Sequence, residues 1–425
     1  MKKIYSKLSG LFSDDLLKHT AILFAGMMVV HVCNLVYQMA VIRVLPGKEY
    51  ALLAAFLGVL AIISYPLSTF TTGLSHYSSL LRQEGRIGDV YRLLCKWVFM
   101  AGALGMLLGA TIVLFNGSVA GFMHLNRIAP VVIAGAVLPA MFLLPVLTGA
   151  AQGVQLFGWC SASAIAGAFF KLLLGAGFVW LLYPACGWAM LGHSAGVYIS
   201  AAVLVLGLLI VLRSGVKTET ALPSMRFYLL QSFFVLTAFA VLMNIDVVLV
   251  KHYLPEETGF AVAATLGRIV PFLSATVAVA MFPKVASSGG TTVVHRRIFF
   301  QSLGFTALFV VVAATGCFLF PQLLLRILGL RDITESTVFL TRLMVLAMSA
   351  SALLNVVVQF LLAQRRFKEM IPVVVAGFLY LLSARFFHST AGQIAAAAGI
   401  FNFSALLLGL WVVLRRGSVR GRDIV

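Results

Sequence analysis

Charge is scarce in this chain. Only 10% of its 425 residues are charged, and acids are scarcer than bases, 13 Asp and Glu against 31 Lys and Arg. With 61% hydrophobic residues and a mean hydropathy of +1.05, it has far more apolar surface than a soluble core could hide from water. Cysteine is also rare: five residues, at 33, 95, 160, 186 and 317, odd in number and scattered mostly through apolar runs. That pattern excludes a disulfide framework and a CxxC metal centre, and the cysteines read as small core residues. There is no GxxxxGK[ST] phosphate loop, no HExxH and no DxD acidic pair. Neither a one-chain ATP-driven pump nor a sugar-nucleotide transferase is supported. No enzyme activity, cofactor or metal is expected, and the net charge of +18 is not a nucleic-acid signal when the bases are dispersed between apolar runs.

What is abundant is unbroken apolar sequence without two-residue alternation, which selects membrane helices over strands. Runs able to cross about 30 Å of hydrocarbon at about 1.5 Å per residue lie near 20–45, 50–80, 96–116, 128–150, 158–183, 187–212, 225–250, 258–283, 298–325, 336–363, 370–387 and 391–414, twelve in all. The expected class is an all-α polytopic membrane protein of about twelve spans. The expected organisation is an interfacial N-terminal segment 1–19 bearing Lys2, Lys3, Lys7 and Lys18, a six-helix bundle 20–212, a linker 213–224, a second six-helix bundle 225–414 and a basic tail 415–425.

Lys and Arg set the orientation. With the N-terminus cytoplasmic, that side carries 21 of them and the opposite side seven, which places both ends inside. The halves also echo one another. Val41-Ile42-Arg43-Val44-Leu45-Pro46 matches Val250-Lys251-His252-Tyr253-Leu254-Pro255, and Leu57-Gly58 matches Leu266-Gly267, at an offset of 209 residues. A second echo pairs Ala151-Gln152 and Phe157 with Ala363-Gln364 and Phe367. Six spans per half, inserted in the same direction, imply a pseudo-two-fold along the membrane normal.

Charges inside spans are the candidates for function. Each costs about 2.5–3.5 kcal/mol at the centre of a lipid-facing helix, so it faces a wet cavity or a partner. Lys171 and Arg268 lie nearest the midplane; Arg43, Arg342 and Arg385 lie toward outer ends, where long side chains reach the interface. One acid, Asp246, stands against them. An excess of bases in a low dielectric attracts an anion, and guanidinium or ammonium groups suit phosphate. Those five bases are the candidate anion site, and Asp246 the candidate for coupling a proton or sodium ion. The alternative is that Asp246 pairs with Arg268 or Lys251 and locks two helices. His31, Asn34 and Gln38 share a face of the first span, Ser64 and Ser68 a face of the second, and Asn244 precedes Asp246. These faces suit water or a sugar, or hydrogen bonding between helices.

The chain resembles the polysaccharide-transport branch of the multidrug/oligosaccharidyl-lipid/polysaccharide exporter superfamily. Arg43-Val44-Leu45-Pro46-Gly47-Lys48-Glu49-Tyr50 is similar to that family's Arg-x-Leu-Gly-x-x-x-Tyr-Gly, with Ala51 in place of the last glycine. Asn244-Ile245-Asp246, Gly259-Phe260, Ala264-Thr265-Leu266-Gly267-Arg268, Phe282-Pro283-Lys284 and Gly187-Trp188-Ala189 extend the likeness over most of the chain. The resemblance implies two six-helix bundles working by alternating access in a bacterial inner membrane. It implies a polyprenyl-diphosphate-linked oligosaccharide as cargo, Lys171 and Arg268 on the diphosphate, and membrane lipids and other polysaccharide-assembly proteins as partners. A complete cavity within one chain makes a monomer the default. Two rival readings are a cation-coupled drug or metabolite antiporter of the same superfamily and a non-transporting scaffold of a glycan-assembly complex. A major-facilitator carrier is a weaker third, because Gly85-Arg86-Ile87-Gly88-Asp89 echoes that family's loop without its ordered charges.

Overall fold

The structure, a computed structural model, describes residues 15–125, 127–212, 226–287 and 292–419, and every regular element among them is helical. In chain order these are α1 (Asp15–Val44), α2 (Gly47–Gln83), α3 (Ile87–Leu114), α4 (Asn116–Phe122), α5 (Ala129–Gly153), α6 (Phe157–Phe170), a π-helical turn (Lys171–Ala176), α7 (Gly177–Leu181) and α8 (Cys186–Leu212). There follow α9 (Arg226–Tyr253), α10 (Gly259–Ser287), α11 (Thr292–Leu319), α12 (Pro321–Leu328), α13 (Glu335–Ala363), a 3₁₀ turn (Phe367–Met370), α14 (Ile371–Ser383) and α15 (Ala391–Val419). Residues 1–14 of the expected interfacial segment, the linker 213–224 and the tail beyond 419 lie outside the described residues.

Ten of these helical stretches are long and apolar enough to cross a bilayer, and the chain is a multi-span membrane protein. The other two expected spans correspond to α10 and to α14, whose 13 residues rise only about 20 Å before the preceding 3₁₀ turn is added. Two boundaries differ from expectation for physical reasons. The third span begins at Ile87 rather than 96 because its first turns carry Asp89, Arg92 and Lys96 outside the apolar stretch. The ninth expected span, 298–325, is broken at Phe320 (φ −123°, ψ 44°), since the residue before Pro321 is pushed out of helical geometry.

Lipid as solvent is visible in which faces are covered. Helix α3 exposes Phe99, Leu104, Met106 and Leu107 and buries Gly102, Gly105 and Gly109. A Cβ added to Gly109 would sit 2.5 Å from the carbonyl oxygen of Gly135 on α5, so the small residue sets the helix spacing while large apolar ones face outward.

The chain divides into two compact units. Unit 1 comprises residues 1–45, 67–121 and 125–229; unit 2 comprises 46–66, 122–124 and 230–425. Helix α2 therefore contributes its first half to unit 2, where the Tyr50 hydroxyl lies 2.7 Å from Thr265 Oγ1 and the Tyr65 hydroxyl donates to Asn355 Oδ1 at 2.9 Å.

The internal echoes have backbone counterparts. Helices α1 and α9 end alike: Leu45 N–H donates to Val41 at 2.9 Å and Leu254 N–H to Val250 at 2.8 Å, each one residue before a proline. The turns after α5 and α13 also match. Gln155 (φ 63°) and Arg365 (φ 55°) hold the left-handed position. In each turn a pair of bonds, Gln155 to Gln152 and Leu156 to Ala151, or Arg365 to Leu362 and Arg366 to Leu361, closes the helix end. The register of these turns agrees with Phe157 against Phe367 rather than with the Ala-Gln pairs.

Candidate functional site

In unit 1, α6 runs into the π-helical turn that begins at Lys171. Such turns widen the helix by one residue and often mark functional positions. Helix α8 packs against the widened segment only because it offers glycine there. A Cβ on Gly192 would lie 2.1 Å from the Gly175 Cα, and one on Gly196 would lie 3.0 Å from the Lys171 Cβ. The half-buried Lys171 ammonium donates to Asn34 Oδ1 on α1 at 3.0 Å and lies 4.6 Å from the centre of the Tyr37 ring. Tyr37 is itself pinned, its hydroxyl donating to the Ala189 carbonyl at 3.2 Å. No carboxylate pairs with Lys171 among the described residues. His193 on α8 is within electrostatic range of the ammonium, and its Nδ1 has no hydrogen-bond partner among the described residues. The same is true of Nε2 of His31, one turn before Asn34 on α1. The cluster around Lys171 is thus one amine, one amide, one aromatic face and one imidazole.

Unit 2 holds a different arrangement. The Arg268 guanidinium on α10 forms an ion pair with Asp246 on α9, and it also donates from Nε and a terminal nitrogen to the Met243 carbonyl at 3.3 and 3.2 Å. Asp246 is 1% exposed, and its second carboxylate oxygen, Oδ2, has no hydrogen-bond partner among the described residues. Tyr380 on α14 lies within electrostatic range of both charges. Asn402 on α15 donates to the Leu242 and Ala398 carbonyls at 3.0 and 2.8 Å, one turn from Asp246, and leaves its own Oδ1 without a partner.

The remaining candidates from sequence are dispersed. Gln38 is half-buried on α1, and Arg43 at the end of that helix is exposed. Ser64 donates to the Ala61 carbonyl at 3.2 Å, while Ser68 is exposed and its carbonyl accepts from Thr72 at 3.3 Å. Asn244 donates to Ala240 at 3.1 Å. Arg342 is exposed beside Phe318, 5.8 Å from the ring centre, and Arg385 is exposed. Within unit 1 the structure brings together Lys171, Asn34 and the unanticipated Tyr37 and His193; within unit 2 it joins Asp246 to Arg268. His193 is legible as a polar residue in an apolar run, but a search for permanent charge passes over a neutral imidazole.

Outside the spans, Lys48 and Glu256 pair at 2.6 Å. The ammonium donating to the Glu256 carboxylate holds that acid below the usual range, although both groups are well exposed. At the start of α3 the buried Asp89 accepts from Arg86 at 2.8 Å and Arg92 at 3.3 Å. Among the described residues no group of three or more His, Cys, Asp or Glu is placed to hold a metal ion.

No family model matches this chain, and no curated protein does. Solved structures do. A multidrug resistance MATE family transporter of the MOP superfamily in an inward-facing conformation superposes with a TM-score of 0.69 at 12% identity, over 95% of this chain and 99% of that one. The eukaryotic MATE transporter AtDTX14 gives 0.64 at 15% identity, over 96% and 99%. The lipid II flippase MurJ in an inward closed conformation gives 0.61 at 12% identity, over 93% and 87%. The chain shares the fold of the MATE transporters and of MurJ.

Proposed function

We propose that the chain is an alternating-access flippase that carries a polyprenyl-diphosphate-linked oligosaccharide across a bacterial inner membrane for surface polysaccharide assembly. It works as a monomer with both termini cytoplasmic and beside other proteins of glycan assembly. One observation carries the anionic cargo: an ammonium group, Lys171, is held inside a membrane helix with an amide and an aromatic face for neighbours and, among the described residues, no carboxylate to neutralise it. An uncompensated cation in hydrocarbon is costly, and an anionic ligand removes that cost when it binds. A diphosphate head group faces the converse problem, since hydrocarbon replaces none of its hydration. Each supplies what the other lacks, and no covalent bond needs to form or break. Oligosaccharide contacts fall to the polar residues His31, Asn34, Gln38, Ser64, Ser68 and Asn244. Arg43, Arg342 and Arg385, all exposed, meet anionic groups at the ends of the path. The fold shared with a lipid II flippase agrees with this reading.

A second reading, a cation-coupled antiporter of drugs or metabolites, is favoured by a separate observation: Asp246 keeps one carboxylate oxygen without a partner beside Arg268, a place where a proton or sodium ion would compete with the guanidinium. Glycan display in a flippase-deficient bacterial host separates the two. Display restored by the wild-type chain and lost with Lys171→Ala at equal membrane abundance supports the flippase; no restoration in several hosts, together with drug resistance conferred by the chain and abolished by Asp246→Asn, supports the antiporter.

A further inference from the structure

The Lys171 cluster contains more than a fixed charge. His193 sits on the glycine-lined face of α8, one turn from Gly196, whose added Cβ would lie 3.0 Å from the Lys171 Cβ. Its ring is within electrostatic range of the ammonium, and its buried Nδ1 has no hydrogen-bond partner among the described residues. Lys171 from the π-helical turn is the charged group within its range, and the Tyr37 hydroxyl from α1 bonds to Ala189, one turn before it on α8; α3, which also touches α8, carries Asp89, Arg92 and Lys96 in its first turns. Helices α5 and α6, which also pack around this part of the unit, contain no Lys, Arg, Asp, Glu or His. Among the described residues an empty site therefore presents His193 with one cation, Lys171, and no anion. A diphosphate beside Lys171 reverses the local field, because a ligand with two or more negative charges outweighs a single ammonium.

We propose that His193 is a proton-accepting residue of the Lys171 site, which takes up a proton as a phosphate-class anion binds and returns it as the anion leaves. This rests on the anion-carrying function proposed above and adds its linkage to pH. The proton comes from solvent, adds to the bare ring nitrogen and produces an imidazolium beside the phosphate oxygens; nothing is oxidised or reduced. Because binding and protonation favour one another, affinity is greatest on the acidic side and falls as pH rises through the titration of the occupied site, by at most about tenfold per pH unit for one linked proton. A cargo loaded on one side of the membrane and released on a more alkaline side thus carries a proton with it, and His193 supplies a coupling group that needs no carboxylate.

The test uses the full chain in lipid nanodiscs with farnesyl diphosphate as the probe. Calorimetric titration at constant pH in two buffers of different ionisation enthalpy counts the protons taken up per ligand bound, and repeating it from pH 6 to 8 gives the affinity slope. The expected result is net proton uptake and a sloping pH profile in the wild type. With His193→Gln binding persists, but uptake and slope are lost; with His295→Gln, a histidine at the start of α11 in unit 2, both are retained. Equal uptake by the wild type and His193→Gln overturns the assignment while leaving the anion site intact, and so does loss of uptake in His295→Gln. Absence of farnesyl diphosphate binding by wild-type protein, indistinguishable from Lys171→Ala, removes the function proposed above and this inference with it.

Discussion

Arg268 and Lys171 both lie within membrane helices, and their surroundings differ. In unit 2, Arg268 meets a carboxylate and a backbone carbonyl, so its charge is matched before any ligand arrives. In unit 1, Lys171 meets an amide oxygen, an aromatic face and an imidazole, and no carboxylate matches its charge among the described residues. A compensated pair holds helices in register and is costly to break, whereas a solitary ammonium costs stability and gains by binding. The same kind of side chain, a base in an apolar run, therefore has opposite surroundings in the two units.

The contrast can be broken most severely at Arg268. Replacing it with alanine strands the buried Asp246 carboxylate, and the loss of stability is expected to be about 3–5 kcal/mol, read as a lowered melting temperature in detergent. The double variant Arg268→Gln with Asp246→Asn is expected to recover most of that loss, because no unpaired charge remains. A double variant as unstable as the single one would show that the pair is not the reason for the destabilisation. Lys171→Ala is expected to behave in the other sense: melting temperature unchanged or raised, but affinity for a prenyl diphosphate reduced about 10- to 100-fold, the worth of a charged hydrogen bond of about 1.5–3 kcal/mol. Parallel titration and melting curves of that variant decide the matter, and a large fall in stability would sink the distinction between the two units. Asn34→Ala sharpens the comparison further. Removal of the acceptor that orients the Lys171 ammonium at 3.0 Å is expected to weaken the same binding about fivefold, in line with about 1 kcal/mol for one hydrogen bond.

The smallest expected effect lies away from both sites. The exposed Gln155 occupies a left-handed backbone position, φ 63°, which favours glycine. Gln155→Gly should raise stability by about 0.5–1 kcal/mol without altering prenyl diphosphate affinity. A decrease in melting temperature would mean that the glutamine side chain does more than tolerate the turn.

Much of this was legible in the residues. Apolar runs located the spans because helix length and hydrocarbon thickness are coupled, and ten of the expected twelve reappear as helices that can cross a bilayer unaided. The short α14 and the break at Phe320 were harder to read: hydropathy averages over a window and does not register the backbone geometry imposed before Pro321. Lys171, Arg268 and Asp246 stood out since charge in an apolar run is rare. Their partners did not. Asn34 was noticed as one of several polar residues on a helix face, yet nothing in its spacing connects it to a lysine 137 residues away. Tyr37 looks like any core aromatic, and Asn402 like any polar residue near the end of an apolar run.

Composition settled the solvent, the secondary structure and which side chains are too expensive to leave facing lipid, because each of these is a local transfer energy that sums along the chain. The tertiary structure alone decided that, among the described residues, Arg268 has a carboxylate partner and Lys171 has none. Compensation of a charge depends on what another helix brings within a few ångströms, and helix packing, set here by positions such as Gly192 and Gly196 against the π-helical turn, is not a sum over residues.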